Sequence, residues 1–147
     1  MRAAPLLLPL LALLGAAHPG GGSVTVEVGG LRSAKGLVRA CLTQVAEAFP
    51  DCRKDANALR VSVPAAAARS LTFPAVPPGR YALALLHDEN GNGRADTLLM
   101  VPREGFGFSR NPGIGLGPPR FARVAFVVAD RPVAQAIRLH YLLGKGG

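Results

Sequence analysis

The chain has 147 residues and a formal net charge of +8, with 17 basic and 9 acidic residues. This length predicts one domain with a modest hydrophobic core and leaves no room for a second domain of ordinary size. The basic residues are scattered singly, with Arg53-Lys54 as the longest run, whereas nucleic-acid sites cluster them. The charge therefore indicates a solvated basic surface rather than a nucleic-acid or membrane site.

Residues 1–17 have the pattern of a secretory signal peptide. Arg2 supplies a positive start, Leu6–Leu14 form an apolar stretch, and Gly15-Ala16-Ala17 provide small residues for cleavage. The apolar stretch is too short to cross a bilayer, which takes about 20 residues. The alternative, a buried N-terminal helix, is disfavoured by the prolines and glycines of this segment. We therefore expect residues 18–147 to form one exported domain, periplasmic or secreted, that does not span a membrane.

The rest of the chain is rich in short segments that alternate apolar and polar residues, as half-buried strands do. One example is the strand in which Tyr81, Leu83 and Leu85 share one face. The predicted strands are Ser23–Val28, Gly36–Thr43, Ala58–Val63, Ser70–Phe73, Tyr81–Leu86, Ala122–Val128 and Val133–Leu142. A helical turn is expected from Gln44 to Phe49. The last two strands are expected to form a hairpin around Ala129-Asp130-Arg131-Pro132.

About seven strands, frequent turn signals and the absence of a long helical period predict an all-β fold. Burying the apolar faces of these strands requires two facing sheets, so we expect an antiparallel β-sandwich with Greek-key connections. Jelly rolls and closed barrels stay open as alternatives, because strand order cannot be read from one sequence.

Cys41 and Cys52 are the only two cysteines. In an oxidising compartment, an even pair at short range predicts a disulfide. Closing so short a loop contributes about 3 kcal/mol in the chain-entropy estimate. A metal site built on the two cysteines is disfavoured because no histidine lies nearby.

The segment His87–Asp96 places side-chain oxygens on alternate residues of a glycine-containing loop, as calcium-binding loops do. The matching residues are Asp88, Asn90 and Asn92 as the first ligands, the Arg94 carbonyl and Asp96. Leu99 stands where a calcium loop has a bidentate glutamate, so the site needs another carboxylate, and Glu104 is the nearest candidate. This set predicts one weak Ca²⁺ site. The alternative is a long hairpin whose asparagines, aspartates and glycines serve only the turns.

Pro102–Pro119 contains too much glycine and proline for regular structure, and it exceeds the length of most unstructured connections. Its candidate ligand-binding residues are Arg103, Phe106, Phe108, Arg110 and Asn111, because aromatic faces and guanidinium groups suit a sugar or a peptide. The alternative is that both phenylalanines only anchor the loop on the sandwich.

Catalytic interpretations have weaker support. The acids Asp88, Glu89, Asp96 and Glu104 come from one loop with no opposing wall, which disfavours a general acid and base pair. Ser109 with His87 and Asp88 lacks a nucleophile-elbow sequence, and His140 falls in the middle of a strand. We therefore expect a protein that is not an enzyme, with a hydrolase as the alternative, and no cofactor apart from calcium.

Three segments together carry a family resemblance. Tyr81–Gly93, Val101–Ser109 and Gly117-Pro118-Pro119 resemble, in order and spacing, the signature of exported bacterial proteins of the domain of unknown function 2141 family. The resemblance covers most of the chain after residue 17. It implies an exported β-sandwich similar to immunoglobulin-like or transthyretin-like modules, and it implies no established activity.

These observations favour a non-catalytic binding or structural module of the cell envelope. Its partner is expected to be a small molecule, a glycan or an envelope protein, and not a nucleic acid. A secreted carbohydrate- or peptide-binding module that uses residues 102–119 is the alternative function.

Overall fold

The computed structural model describes residues 21–92, 97–98 and 101–143. The predicted signal peptide and two predicted calcium ligands, Arg94 and Asp96, lie outside these ranges. The strands in the described ranges are β1 (Gly22–Gly29), β2 (Leu37–Thr43), β3 (Leu59–Pro64), β4 (Ser70–Val76), β5 (Gly79–Asp88), β6 (Thr97–Leu98), β7 (Val101–Pro102), β8 (Gly105–Phe108), β9 (Phe126–Val128) and β10 (Val133–Arg138). Helical structure there is limited to the 3-10 turns Ala46–Ala48 and Ala65–Ala67 and the α-helical turn Phe121–Val124. None of these helical segments is long and apolar enough to cross a membrane.

Two sheets pack around one core. β10, β1 and β4 form a three-stranded sheet, and β3, β2, β5 and β8 lie side by side in a five-stranded sheet whose fifth strand, β9, also pairs with β5. The two-residue strands β6 and β7 pair only with each other. Alternate residues of both sheets fill the core, among them Val24, Leu42, Leu83 and Ile137, which are at most 1% exposed. The prediction of an all-β sandwich is confirmed.

Two expectations about strand pairing are wrong. The last two strands do not form a hairpin, because β9 pairs with the start of β5 whereas β10 pairs with β1 in the other sheet. The β1–β10 pair is also parallel, although the remaining pairs are antiparallel as expected. Alternation of apolar residues reports which face of a strand is buried, but it does not report which sheet edge accepts its hydrogen bonds.

Some predicted elements are shorter than expected. The helical turn expected from Gln44 to Phe49 is only the 3-10 turn Ala46–Ala48. The strand expected over Ala122–Val128 begins as the α-helical turn and is extended only over β9, and β10 ends four residues before Leu142. The loss at Ala122–Val128 occurs where the chain crosses between the two sheets, and beyond β10 the pairing is reduced to the bridge between His140 and Phe106.

β8 lies within the segment that the sequence predicted to be irregular. Its two glycines allow the strand to form: a Cβ at Gly105 would collide with the Tyr141 ring, and a Cβ at Gly107 would lie 2.8 Å from the Arg138 carbonyl oxygen. The backbones of Phe106 and His140 exchange two hydrogen bonds of 2.8 and 3.0 Å. β8 thus closes one side of the sandwich against the chain that follows β10, and glycine is the residue that makes this close approach possible.

The residues of β2 that point away from the core fasten residues 44–58, here called the disulfide loop, over the outer face of the five-stranded sheet. Cys41 is joined to Cys52, with Cα atoms 6.4 Å apart, which confirms the predicted pairing. Thr43 Oγ1 donates to Asp55 Oδ2 at 2.6 Å and accepts from the Val45 N–H at 3.0 Å. The hydrogen bond from Thr43 is the largest reason why the pKa of Asp55 lies below its ordinary value of 3.8.

Tyr81 holds the turn that leads into β5. Its hydroxyl donates to the Pro77 carbonyl at 2.8 Å and accepts from Gln44 Nε2 at 3.1 Å. A tyrosine near the start of a strand that bonds back to the preceding turn is the tyrosine corner of immunoglobulin-like sandwiches. Burial raises the pKa of Tyr81, so its hydroxyl retains the proton that it donates.

Candidate functional site

The end of β5 presents its last two side chains to opposite faces of the sheet. His87 points inward with Leu83 and Leu85, and Asp88 points outward with Leu86. Asp88 is fully buried, and Arg39 Nε donates to its Oδ2 at 2.8 Å. Since Asp88 pairs with Leu37 of β2, Arg39 is its diagonal cross-strand neighbour. A buried carboxylate at this position is therefore partly neutralised by a cation on the adjacent strand.

The backbone curls tightly after Asp88. The Asn92 N–H donates both to Asp88 Oδ1 at 3.1 Å and to Asn90 Oδ1 at 3.2 Å. The Gly91 N–H donates to the Asp88 carbonyl at 3.3 Å, and Gly91 has a φ of 71°, which glycine adopts without strain. Two of the predicted alternate-residue oxygens therefore converge on one amide, an arrangement compatible with a calcium loop and with a turn stabilised by Asx hydrogen bonds.

Glu104 returns to the beginning of this loop. It is only 5% exposed, and its Oε2 accepts from the Glu89 N–H at 3.0 Å. The structure thus brings the distant carboxylate beside the peptide bond that follows Asp88. Among the residues that the structure describes, no three of the histidine, cysteine, aspartate and glutamate types form a group that could hold a metal ion. The predicted calcium ligands include two asparagines and also Arg94 and Asp96, which lie outside the described ranges.

The carboxylate of Glu89 makes hydrogen bonds that are separate from those of Asp88 and Asn90. Arg32 Nε donates to its Oε1 at 2.7 Å, and Ser33 Oγ donates to its Oε2 at 2.9 Å. Burial raises the pKa of Glu89, but the hydrogen bonds from Arg32 and Ser33 outweigh burial and leave the pKa below its ordinary value. The Arg32 guanidinium also lies 4.4 Å from the centre of the Tyr141 ring, so this arginine ties Glu89 to the chain after β10. These contacts give Glu89 a structural role.

His87 is a satisfied core residue. Its Nε2 lies 2.8 Å from the Lys35 carbonyl oxygen, which can only accept, so Nε2 carries a proton. Its Nδ1 lies 2.6 Å from the Tyr141 hydroxyl, and burial raises the pKa of Tyr141, so the phenol keeps a proton to donate to Nδ1. Both ring nitrogens have partners within the fold.

Ser109 is buried, and its hydrogen-bond partners do not include His87. Its Oγ accepts from the Leu83 N–H at 3.1 Å and donates to the Val124 carbonyl at 2.7 Å. Ser109 therefore links the end of β8, the middle of β5 and the helical turn before β9. Within the described residues, Ser109 and His87 share no hydrogen bond, so the geometry gives no support to a Ser–His pair.

Phe106 and Phe108 lie on the outer face of the five-stranded sheet, opposite Leu86 and Ala84 of β5. The sequence did not predict that three further rings join them. The resulting aromatic surface consists of Phe49, Phe106, Phe108, Phe121 and His140, all half-buried. Its ring centres are 5.5 Å apart for Phe49 and Phe108 and 5.8 Å apart for Phe106 and Phe108. Contacts between rings at these distances favour a continuous apolar surface.

The other predicted ligand-binding residues differ in role. Asn111 caps the edge of β10, because its Nδ2 donates to the Ala136 carbonyl at 2.7 Å and its Oδ1 accepts from the Arg138 N–H at 2.9 Å. Arg110 is exposed, and its guanidinium donates to the Ala125 carbonyl at 3.4 Å. Arg103 is exposed, and its carbonyl accepts from Arg32. Asn111 is therefore a structural residue, whereas the two arginines keep surface positions.

A narrow cleft separates the aromatic surface from the loop that follows Asn111. Phe106, Phe108 and His140 of the aromatic surface line this cleft together with Ile114 of the loop. Its volume of about 20 Å³ accommodates little more than one water molecule. A sugar or peptide at the aromatic surface would therefore lie across exposed rings rather than enter a pocket.

Sequence reasoning missed Arg32, Arg39 and Tyr141, which hold the acidic loop in place. Arg39 had a usable signal, because alternation along β2 places it on the outer face with Cys41 and Thr43. Arg32 and Tyr141 had none, since their contacts join segments more than 50 residues apart.

Comparisons with known proteins agree with the resemblance in the sequence. The searches of curated proteins and of solved structures returned no match. A family model described as an uncharacterized protein conserved in bacteria (DUF2141) matches residues 26–136. This match extends from β1 to β10 and covers well over half of the chain, so the chain belongs to the DUF2141 family.

Proposed function

We propose that this protein is a non-catalytic module of the bacterial cell envelope, exported as a β-sandwich, with weak calcium binding by residues 88–104. The observation that carries the calcium proposal is the return of Glu104, whose carboxylate accepts from the Glu89 N–H at 3.0 Å. This acid comes close to Asp88 from the far end of the loop. It compensates for Leu99, which stands where a calcium loop would have its glutamate.

The chemistry of the donor set suits calcium. The ligands would be Asp88, Asn90, Asn92, the Arg94 carbonyl, Asp96 and Glu104, all of which offer oxygen. Hard oxygen donors favour Ca²⁺, whereas zinc prefers cysteine and histidine. The side-chain oxygens of Asp88 and Asn90 already converge on one amide, which reduces the ordering that binding requires. The ion pair of Asp88 with Arg39 lowers the negative charge, which argues for millimolar affinity.

Thermal unfolding in calcium tests this proposal. At a calcium concentration ten times the Kd, binding to the folded state stabilises it by about 1.4 kcal/mol, a shift of several degrees. The variant Asn90→Ala should lose the calcium response because it lacks one of the proposed ligands. Since Asn90 is exposed, this substitution leaves the core intact. The matched control is Asn57→Ala, an exposed asparagine in the disulfide loop, which should respond as wild type does.

Magnesium at equal concentration controls for ionic strength, and calorimetric titration measures binding directly. If wild-type protein shows neither a calcium-dependent shift nor heat of binding up to several millimolar, residues 88–104 form a hydrogen-bonded turn and the calcium proposal fails.

Export is supported by the pattern of residues 1–17 and by the Cys41–Cys52 disulfide, which suits an oxidising compartment. Intact mass of the protein recovered from the periplasm or medium should correspond to a chain that begins near His18 and is two hydrogens lighter than the reduced form. Recovery of full-length protein with two reactive thiols in the cytoplasm would contradict export.

Binding of a glycan or peptide on the aromatic surface is the second candidate function. The observation that favours it is the set of half-buried phenylalanine rings in mutual contact on one sheet face. Phe106→Leu with Phe108→Leu keeps apolar volume but removes the flat rings that stack on a ligand. On glycan and peptide arrays, this double variant should lose ligands that wild type retains, with an unchanged melting temperature. Equal binding by both proteins would contradict a role for the rings.

A further inference from the structure

The connection between Asn111 and the helical turn Phe121–Val124 carries large apolar side chains into solvent. This apolar loop comprises residues 112–119. Leu116 is fully exposed and Ile114 is 53% exposed, although both are large aliphatic residues that proteins usually bury. A Cβ added at Gly113, Gly115 or Gly117 would meet no atom within 4 Å, so no neighbouring group packs against the side-chain positions of these glycines.

Both ends of the apolar loop are held by the sandwich. On one side, Asn111 bonds to the backbone of Ala136 and Arg138 at 2.7 and 2.9 Å. On the other side, Ser109 Oγ donates to the Val124 carbonyl at 2.7 Å, and the Arg110 guanidinium reaches the Ala125 carbonyl. Both ends are therefore anchored, and Ile114 and Leu116, here called the tip, have exposed side chains between the anchored ends.

The surroundings of the tip are basic. No acidic residue occurs between Glu104 and Asp130, whereas this stretch contains three arginines. They are Arg110, Arg120 and Arg123, and Arg138 joins them by lining the cleft beside Ile114. All four arginines are exposed, and none forms an ion pair with another of the described residues. The fold thus brings Arg138 from a distant part of the chain beside Ile114, while the other three arginines flank the apolar loop in sequence.

We propose that the apolar loop docks the protein on an anionic lipid bilayer, with Ile114 and Leu116 entering the interfacial region and the four arginines contacting lipid headgroups. Peripheral membrane binding combines buried apolar area with attraction between basic side chains and anionic lipids. A protein partner would need a shaped, extensive contact of about 800 Å² on each side. Two aliphatic side chains separated by a single glycine offer no such shape, whereas a bilayer requires none.

Cosedimentation with vesicles tests the proposal. Wild-type protein is mixed with phosphatidylglycerol-containing vesicles and with pure phosphatidylcholine vesicles, in the presence of EDTA so that calcium cannot bridge protein and lipid. We expect wild type to bind the anionic vesicles and to lose binding as salt rises. Ile114→Ser with Leu116→Ser should weaken partitioning about tenfold or more. The control Val45→Ser, which changes a partly exposed apolar residue of the disulfide loop, should bind as wild type does.

The absence of tryptophan from the chain permits a direct readout of insertion. Leu116→Trp would introduce the sole tryptophan at the tip, and Val45→Trp would introduce it elsewhere. Anionic vesicles should shift the emission of the first variant to shorter wavelength, and brominated lipids should quench it, while the second variant stays unchanged. Melting curves establish that each variant is folded.

Three outcomes would overturn the proposal. They are no binding of wild type to anionic vesicles at low salt, equal binding by the folded Ile114→Ser and Leu116→Ser variant, and unchanged emission of Leu116→Trp. Capture of an envelope protein through Ile114 and Leu116 without vesicle binding would assign the tip to a protein partner and would also overturn it. Because EDTA is present throughout, failure of the calcium proposal leaves these results unaffected.

Discussion

The disulfide loop and the apolar loop both adjoin Phe108, yet they are held in different ways. Phe49 of the disulfide loop contacts the Phe108 ring, and this loop is fastened by a disulfide and by the Thr43–Asp55 hydrogen bond. The apolar loop is anchored by hydrogen bonds at its ends, and Leu116 is completely exposed. We therefore expect the first loop to contribute more to the stability of the fold than the second, because buried contacts decide how far a loop contributes to stability.

Removal of the disulfide should have the largest effect on stability among the changes that test this difference between the loops. Cys41→Ser with Cys52→Ser should lower the free energy of unfolding by about 3 kcal/mol, because the unfolded chain regains loop entropy. Urea unfolding of the variant and of oxidised and reduced wild type measures the effect. Reduced wild type should match the variant. A loss below about 1 kcal/mol would show that the disulfide loop is held mainly by its non-covalent contacts.

Ser109, where the chain leaves β8 towards the apolar loop, should give the next effect. Ser109→Ala removes a buried hydroxyl that bonds to Leu83 and Val124, leaving backbone groups unsatisfied at a cost of about 2 kcal/mol. Chemical unfolding measures this loss. Ser70→Ala, at an exposed position of β4, is the control and should change stability by less than about 0.5 kcal/mol. A similar small change for Ser109→Ala would mean that its hydroxyl does not anchor the loop.

The Thr43–Asp55 bond predicts a dependence on pH. Because the folded pKa of Asp55 is lowered, its contribution is present above the ordinary value of 3.8 and is lost as the pH falls through the lower folded pKa. Melting temperatures from pH 6 to pH 2 should therefore show a gap between wild type and Thr43→Val that narrows in acid. Asp51→Asn, which changes an exposed carboxylate of the same loop, controls for general charge effects. A gap that does not vary with pH would contradict the assignment.

The smallest effect on stability is expected at the tip of the apolar loop. Ile114→Ser with Leu116→Ser should change the free energy of unfolding by less than about 0.5 kcal/mol, since neither side chain is buried. Urea unfolding without lipid checks this expectation. Destabilisation of more than about 1 kcal/mol would mean that the loop packs on the sandwich and resembles the disulfide loop after all.

Strand identity was predictable because alternation depends on local sequence. β1, β2, β3, β4 and β5 lie where the alternating segments predict them, and the inward face of β5 carries Tyr81, Leu83 and Leu85 as expected. β8 was not predicted, because the glycines and prolines of residues 102–119 indicate irregular structure when they are considered locally. Gly105 and Gly107 are needed because Tyr141 and Arg138 approach them closely, and only the folded chain shows this approach.

In the candidate site too, some residues were identifiable from the sequence, whereas the contacts between distant residues were not. Asp88, Asn90 and Glu104 were identifiable because residue type and spacing specify oxygen donors. The ion pair of Asp88 with Arg39 and the bond of Glu89 to Arg32 join residues that are 49 and 57 positions apart. No local pattern encodes such pairs, because they depend on which strands become neighbours.

The sequence by itself determined the all-β class, the positions of most strands, the disulfide partners and the residue types of the acidic loop. These properties follow from side-chain chemistry and from the two-residue period of a strand. Only the tertiary structure decided that β10 runs parallel to β1, that five aromatic rings meet on one face, and that Arg138 lines a cleft with Ile114. These features depend on sheet edges and surface proximity, which arise after segments distant in sequence have packed around a common core.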